Sequence, residues 1–157
     1  MKTITFDTVY NALKNKGYEL FETDTKPYNL NIIGIRNDNR TPNSFDDCIV
    51  VIWKYKGQWN FNKYEALTQF MPVTVIRDFD KDNYLDFASG KEETGLFGIN
   101  IHRANLTGKS IKVNQWSAGC QVFADSGQFN EFISLCEMSQ KYWGKTFSYT
   151  LVNFNDL

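Results

Sequence analysis

The chain has 157 residues, 17 basic against 18 acidic side chains, and a formal charge of -1. Chains of ~100–200 residues usually form one domain, and 42% hydrophobic with 16% aromatic residues is enough apolar material for a core, which excludes a disordered chain. There is no basic stripe of the kind a nucleic-acid partner requires, and no apolar run of ~18 residues that could cross a membrane.

The predicted elements follow in chain order. Residues 1–7 lack the uninterrupted apolar stretch of a secretory signal. Export therefore either uses another route or follows removal of a signal that preceded this sequence. Residues 7–16 predict a helix: Val9, Tyr10 and Leu13 recur at helical spacing, Thr5 or Asp7 can cap its start, and Gly17 can end it. Tyr28, Leu30 and Ile32 alternate with Asn29 and Asn31, the period of a half-buried strand. Residues 36–47 are polar, contain Pro42 and read as a loop. Residues 48–55 (CIVVIWKY) are a continuous apolar run and read as a central strand. A turn at Lys56-Gly57-Gln58 leads into an alternating strand, Trp59 to Asn62. Residues 73–76 predict a short β-branched strand after Pro72.

In residues 78–86, Asp78, Asp80 and Asp82 stand at the first three ligand spacings of a calcium loop. The obligatory glycine is Asn83 and the bidentate glutamate is Ser89, so a solvated acidic turn is the better reading, with a weaker cation site left open. Residues 95–101 predict a strand, and 113–123 a loop entering another. Residues 126–143 are the clearest helix: Phe129, Phe132, Ile133, Cys136 and Trp143 share a face, Ser126 can cap it and Gly144 can stop it. Phe147, Tyr149, Leu151 and Phe154 suggest a closing strand. The expected whole is a single mainly β (α+β) domain over 1–157, with a short N-terminal helix and one long helix late in the chain.

Three cysteines at irregular spacing (Cys48, Cys120 and Cys136), no CxxC and a single histidine (His102) suit neither a disulfide framework nor structural zinc. Cys48 lies inside the apolar strand and Cys136 on the apolar helix face, so both read as small buried hydrophobes. Cys120 stands apart, in Ser117-Ala118-Gly119-Cys120. A cysteine nucleophile needs a base, because a thiol with a pKa of ~8.5 is only slightly ionised at neutral pH. It also needs backbone N–H groups aimed at the developing oxyanion, and open backbone beside it, which Gly119 supplies. His102 is the one side chain that can act as an imidazole base, and a backbone carbonyl can fix its tautomer.

The segment 98–122 (GINIHRANLTGKSIKVNQWSAGCQV) resembles the catalytic signature of the L,D-transpeptidases, cysteine enzymes of peptidoglycan. Their pattern is a histidine near a strand end, often in a Gly-Ile-His context, then Ser-x-Gly-Cys about 15–20 residues later. Here His102 precedes Cys120 by 18 positions, and a helix follows the cysteine strand. The match covers about 25 residues, and its wording resembles a branch common in tailed phages and Bacteroidetes.

The resemblance implies a β-sandwich of mixed sheets, no metal and no organic cofactor. It also implies Cys120 as nucleophile and His102 as base. The carbonyl of Arg103 would orient the ring, and the N–H of Cys120 with that of Gly119 or Ala118 would form the oxyanion hole. Ser117 would hold the loop. Trp116, Gln121 and Arg77 are candidate substrate contacts. Arg103 follows the histidine where the family often has Gly or Ser, and Val122 stands where most members carry an arginine two positions after the cysteine. Arg103 can restore that charge.

The expected activity is acyl transfer on peptidoglycan stem peptides, as an L,D-carboxypeptidase or endopeptidase, or as an L,D-transpeptidase. The expected site of action is the cell wall or periplasm, reached by lysis or on a virion if no signal is used. A cysteine amidase on another peptide, and a non-catalytic wall-binding or virion module of the same fold, are the alternatives. Retention of His102 and Cys120 together favours an enzyme.

Overall fold

The computed structural model describes residues 3–37, 45–64, 73–76, 90–95, 97, 101–112 and 120–157. Helix α1 is Phe6–Asn15. Thr5 caps it: the Thr8 N–H donates to Thr5 Oγ1 (3.2 Å) and the Thr5 N–H to Thr8 Oγ1 (3.0 Å), which satisfies two N–H groups that a helix start leaves unpaired. Val9, Ala12 and Leu13 form its buried stripe. At the other end Gly17 takes φ 73°. The Tyr18 N–H then donates to the Leu13 carbonyl and the Gly17 N–H to that of Lys14, each at 3.0 Å, a Schellman closure that favours glycine at the left-handed position.

Four strands form the main sheet: β1 (Asn31–Arg36), β2 (Cys48–Tyr55), β3 (Gln58–Tyr64) and, from the end of the chain, β8 (Tyr149–Asn153). Their order is β3-β2-β1-β8, with β1–β2 and β2–β3 antiparallel and β1–β8 parallel. A two-residue turn joins β2 to β3, with Lys56 at φ 50° and Gly57 at φ 78°. Both central residues are left-handed, and such a turn matches the twist of the strands it joins.

The sheet is covered on both faces, which is why β2 is apolar and buried without alternation from Cys48 to Trp53. Ile49, Val51 and Trp53 face one cluster, with Leu30, Ile32, Tyr64, Phe123 and Phe132. Cys48, Val50 and Ile52 face the other, with Val9, Leu13, Ile33, Ile35 and Val152. Helix α2, Ser126–Trp143, contributes Phe132 to the first cluster and α1 contributes Val9 and Leu13 to the second. The architecture is mixed α+β, with two α-helices and a mainly sheet core among the described residues. Among the described residues no helix is long and apolar enough to cross a membrane.

Two smaller pairs complete the described strands. β4 (Val73–Ile76) is antiparallel to β5 (Glu92–Gly95), and β6 (Ile101–Arg103) is parallel to β7 (Gln121–Phe123).

The structure moves some expected boundaries. The strand expected around Tyr28 begins only at Asn31, because Tyr28 has φ 61° and breaks the extended run. Asn31 instead ties the preceding segment to the sheet. Its Oδ1 accepts from the Phe21 N–H (2.7 Å), and its Nδ2 donates to the carbonyls of Phe21 (3.1 Å) and Ile52 (3.3 Å). Of the strand expected over 95–101, Gly95 ends β5, Ile101 begins β6 and Phe97 is in neither, while residues 96 and 98–100 lie outside the described residues. β5 reads Glu-Glu-Thr-Gly, which gives no apolar pattern to announce it. Asp125, not Ser126, caps α2, its Oδ1 accepting from the N–H groups of Gly127 (2.7 Å) and Gln128 (3.1 Å). Cys136 is half-buried rather than fully buried, though it packs on the aromatic cluster. The acidic segment 78–86 lies outside the described residues.

Candidate active site

The site is built on the β6–β7 pair. Its parallel register sets Ile101 beside Gln121, His102 beside Val122 and Arg103 beside Phe123. Side chains of neighbouring strands at the same register share a face, and successive residues alternate. Phe123 is fully buried in the cluster against α2, and Ile101 packs on the same cluster. The guanidinium of Arg103 lies over the Phe129 ring, 5.4 Å from its centroid. Ile101, Arg103, Gln121 and Phe123 therefore face α2, and His102 and Val122 face the other way. Cys120 immediately precedes β7, and the alternation of β7, if it continued one residue beyond the strand, would put it on the His102 face. Both His102 and Cys120 are half-buried.

His102 Nδ1 lies 3.2 Å from the carbonyl oxygen of Arg103. A carbonyl only accepts, so this contact requires the proton on Nδ1 and leaves the lone pair of the neutral ring on Nε2. The acceptor belongs to a peptide unit that is itself held. The N–H of that unit, on Ala104, donates to the Phe123 carbonyl at 3.0 Å, and in a trans peptide the C=O points the opposite way.

The connection leaving β6 is sewn to the turn between β7 and α2. The Ser110 N–H donates to the Ala124 carbonyl (2.8 Å), the Ser126 N–H donates to that of Gly108 (3.1 Å), and Lys109 bridges Asp125 in antiparallel fashion. Asn105 Nδ2 also donates to the Ser110 hydroxyl. The histidine strand, the cysteine strand and the start of α2 are thus linked by backbone bonds, which suits a site whose groups must keep fixed distances.

Not every candidate is brought to this face. Gln121 shares the face of Ile101, away from His102. The charge expected from Arg103 does not reach the His102 face either: its Nη1 donates to Asn130 Oδ1 on α2 (3.0 Å), because the residue after a histidine in a strand must point to the opposite side. Arg77, Trp116, Ser117, Ala118 and Gly119 lie outside the described residues. From α2, Asn130 and Phe129 meet the Arg103 side chain on the face opposite His102. In the sequence Phe129 is one residue of the apolar stripe of α2, and an exposed asparagine in the second turn of a helix carries no signal of such a role.

Of the other two cysteines, Cys48 is 7% exposed, and burial pushes the Cys136 thiol up to about 12. None of the three is in a disulfide. Among the described residues no group of three or more His, Cys, Asp or Glu could hold a metal ion.

No family model, no curated protein and no solved structure matches this chain.

Proposed function

We propose that the chain is a cysteine-dependent acyl-transfer enzyme of the L,D-transpeptidase type, acting on peptidoglycan stem peptides. The observation that carries the reading is the placement of His102. Its Nδ1 meets the Arg103 carbonyl at 3.2 Å, and its strand pairs in parallel with the strand that starts directly after Cys120. The motif wording supplies the substrate class, and the finer fold assignment, a β-sandwich of mixed sheets, rests on the same resemblance.

In this mechanism Nε2 of His102 takes the proton from the Cys120 thiol. The thiolate attacks the carbonyl carbon of the amide between the L-centre of a diamino acid and a terminal D-residue. Backbone N–H groups at Cys120 and the residues before it stabilise the oxyanion. Collapse breaks the C–N bond, and the leaving amine takes the proton from Nε2. Water or a second stem's amine then attacks the thioester and frees the thiol. Hydrolysis is expected to be at least as prominent as cross-linking, since Val122 offers no charge to help hold an acceptor.

The test is incubation of the protein with a purified tetrapeptide-bearing muropeptide, with mass analysis of the products beside a Cys120→Ala control. Stems shortened by one D-residue, or cross-linked dimers, are expected from the unaltered protein only. Neither product appearing, with Cys120 reduced and intact, overturns the enzyme reading in favour of a binding module.

A further inference from the structure

We propose that Asn130 and Phe129 of α2, acting through Arg103, are positioning residues that hold the His102 ring in the Nδ1-protonated form. The inference rests on the Cys120–His102 reading above and adds to it a support from a different element.

The contact that sets the tautomer is long, 3.2 Å from His102 Nδ1 to the Arg103 carbonyl, so a small tilt of the 103–104 peptide breaks it. β6 has only three residues, and such a short ladder gives few restraints against that tilt. The backbone supplies one, the Ala104 N–H on the Phe123 carbonyl at 3.0 Å. The Arg103 side chain supplies the other. Its guanidinium stacks on Phe129 at 5.4 Å and donates from Nη1 to Asn130 Oδ1 at 3.0 Å. Phe129 is itself fixed, edge-on to the buried Phe123 ring with centroids 5.3 Å apart. Arg103 is thus held at its carbonyl side by β7 and at its side-chain end by α2.

A guanidinium can stack on a ring and donate in its own plane at the same time, which an ammonium group cannot do in this geometry. Arginine here is therefore not interchangeable with lysine. The point of action is the histidine: loosening Arg103 leaves the Cys120 backbone in place and lets the ring turn.

The experiment measures two quantities that a merely structural role would not move together. One is the His102 tautomer, read by ¹⁵N NMR of the ring. The other is the pH profile of Cys120 alkylation by iodoacetamide, located by peptide mapping. Both are taken on the unaltered protein, Asn130→Ala, Asn130→Asp, Arg103→Lys, Arg103→Ala and the reference His102→Ala.

The unaltered ring is expected to carry its proton on Nδ1. In Asn130→Ala, Arg103→Lys and Arg103→Ala the Nε2-protonated form should grow, and alkylation at neutral pH should slow by about two- to tenfold, the range that one exposed hydrogen bond and one stacked cation supply. Asn130→Asp should restore both readouts, because a carboxylate also accepts from the guanidinium. Asn130 is exposed, so its variants report even if Arg103→Ala does not fold. An alkylation profile of the unaltered protein identical to that of His102→Ala sinks the Cys–His reading and this inference with it. A histidine-dependent profile that Asn130→Ala leaves unchanged, with the tautomer unmoved, overturns the α2 support alone.

Discussion

The two faces of the central sheet are closed by different chemistry. On the α1 side the fully covered residues are aliphatic: Val9, Leu13, Ile33, Ile35, Val50, Ile52 and Val152, with the thiol of Cys48 among them. On the α2 side half of them are aromatic, with Trp53, Tyr64, Phe123 and Phe132 joined to the half-buried Phe129 beside Leu30, Ile32, Ile49 and Val51. Aliphatic packing is tight but carries no preferred ring angle. Aromatic pairs prefer edge-on or offset arrangements. Phe123 meets Phe129 edge-on at 5.3 Å and Phe132 at 5.5 Å, and Phe132 meets Tyr64 edge-on at 6.1 Å. The strand that starts after Cys120 is anchored in this directional cluster through Phe123, and the ring-orienting carbonyl is linked to it through Ala104. The α1 face makes the fold stable, and the α2 face also sets the geometry of the candidate site.

Removing the proposed nucleophile is the sharpest way to separate site from scaffold. Cys120→Ala should abolish product formation from a tetrapeptide muropeptide, by about 10³-fold or more, while its urea midpoint stays close to that of the unaltered protein. A variant that keeps activity would show that Cys120 is not the nucleophile.

The next experiment sets the two faces against each other. Phe123→Ala should cost about 3–5 kcal/mol and Leu13→Ala about 2–5 kcal/mol in urea unfolding, since each empties a fully packed position. Only the change on the α2 side should also slow Cys120 alkylation in the folded protein. Phe132→Leu is the milder substitute should Phe123→Ala fail to fold. Equal slowing by Leu13→Ala would erase the distinction between the faces.

Alkaline pH should weaken the α2 side selectively. Burial raises the Cys136 thiol from 9.0 to about 12 and the Tyr64 phenol from 10.0 to about 12. Both groups hold their protons more tightly folded than unfolded. Their contribution is therefore complete below pH 9 and falls as pH rises from 9 toward 12, because the unfolded chain ionises first. The urea midpoint should decline over that window. Cys136→Ala should remove the part that begins near 9, while Tyr64→Phe should remove only a share of the part that begins near 10, because burial raises the Tyr149 phenol too. A midpoint flat from pH 8 to 11 would contradict the assignment.

The smallest expected effect lies away from both clusters, at the β2–β3 turn. Lys56 occupies a left-handed position at φ 50° that asparagine adopts more readily. Lys56→Asn should raise stability by a few tenths of a kcal/mol to about 1 kcal/mol, measurable as a higher melting temperature with alkylation of Cys120 unchanged.

β2 and α2 were readable from local pattern because each signal is strong and bounded: an unbroken apolar run closed by a turn, and a long helical stripe ended by Gly144. α1 was readable to within one residue for the same reason. β5 is not legible because Glu92, Glu93 and Thr94 give no apolar signal, and the left-handed backbone of Tyr28 is invisible in an alternating pattern. At the candidate site, His102 and Cys120 stand out as residue types whose chemistry is recognisable at their spacing. The direction of the Arg103 side chain did not stand out, because it depends on which face of β6 meets α2.

The amino-acid sequence by itself determined the local elements: where the apolar runs lie, where Gly17 and Gly144 end helices, and which thiol follows a glycine. Those properties depend on neighbours a few residues away. Only the tertiary structure decided that β8 runs parallel to β1, that β6 runs parallel to β7, and that Asn130 reaches Arg103 across 27 positions. Strand partners and side-chain contacts of that range are chosen by which faces can be buried together, a property of the assembled layers rather than of any one segment.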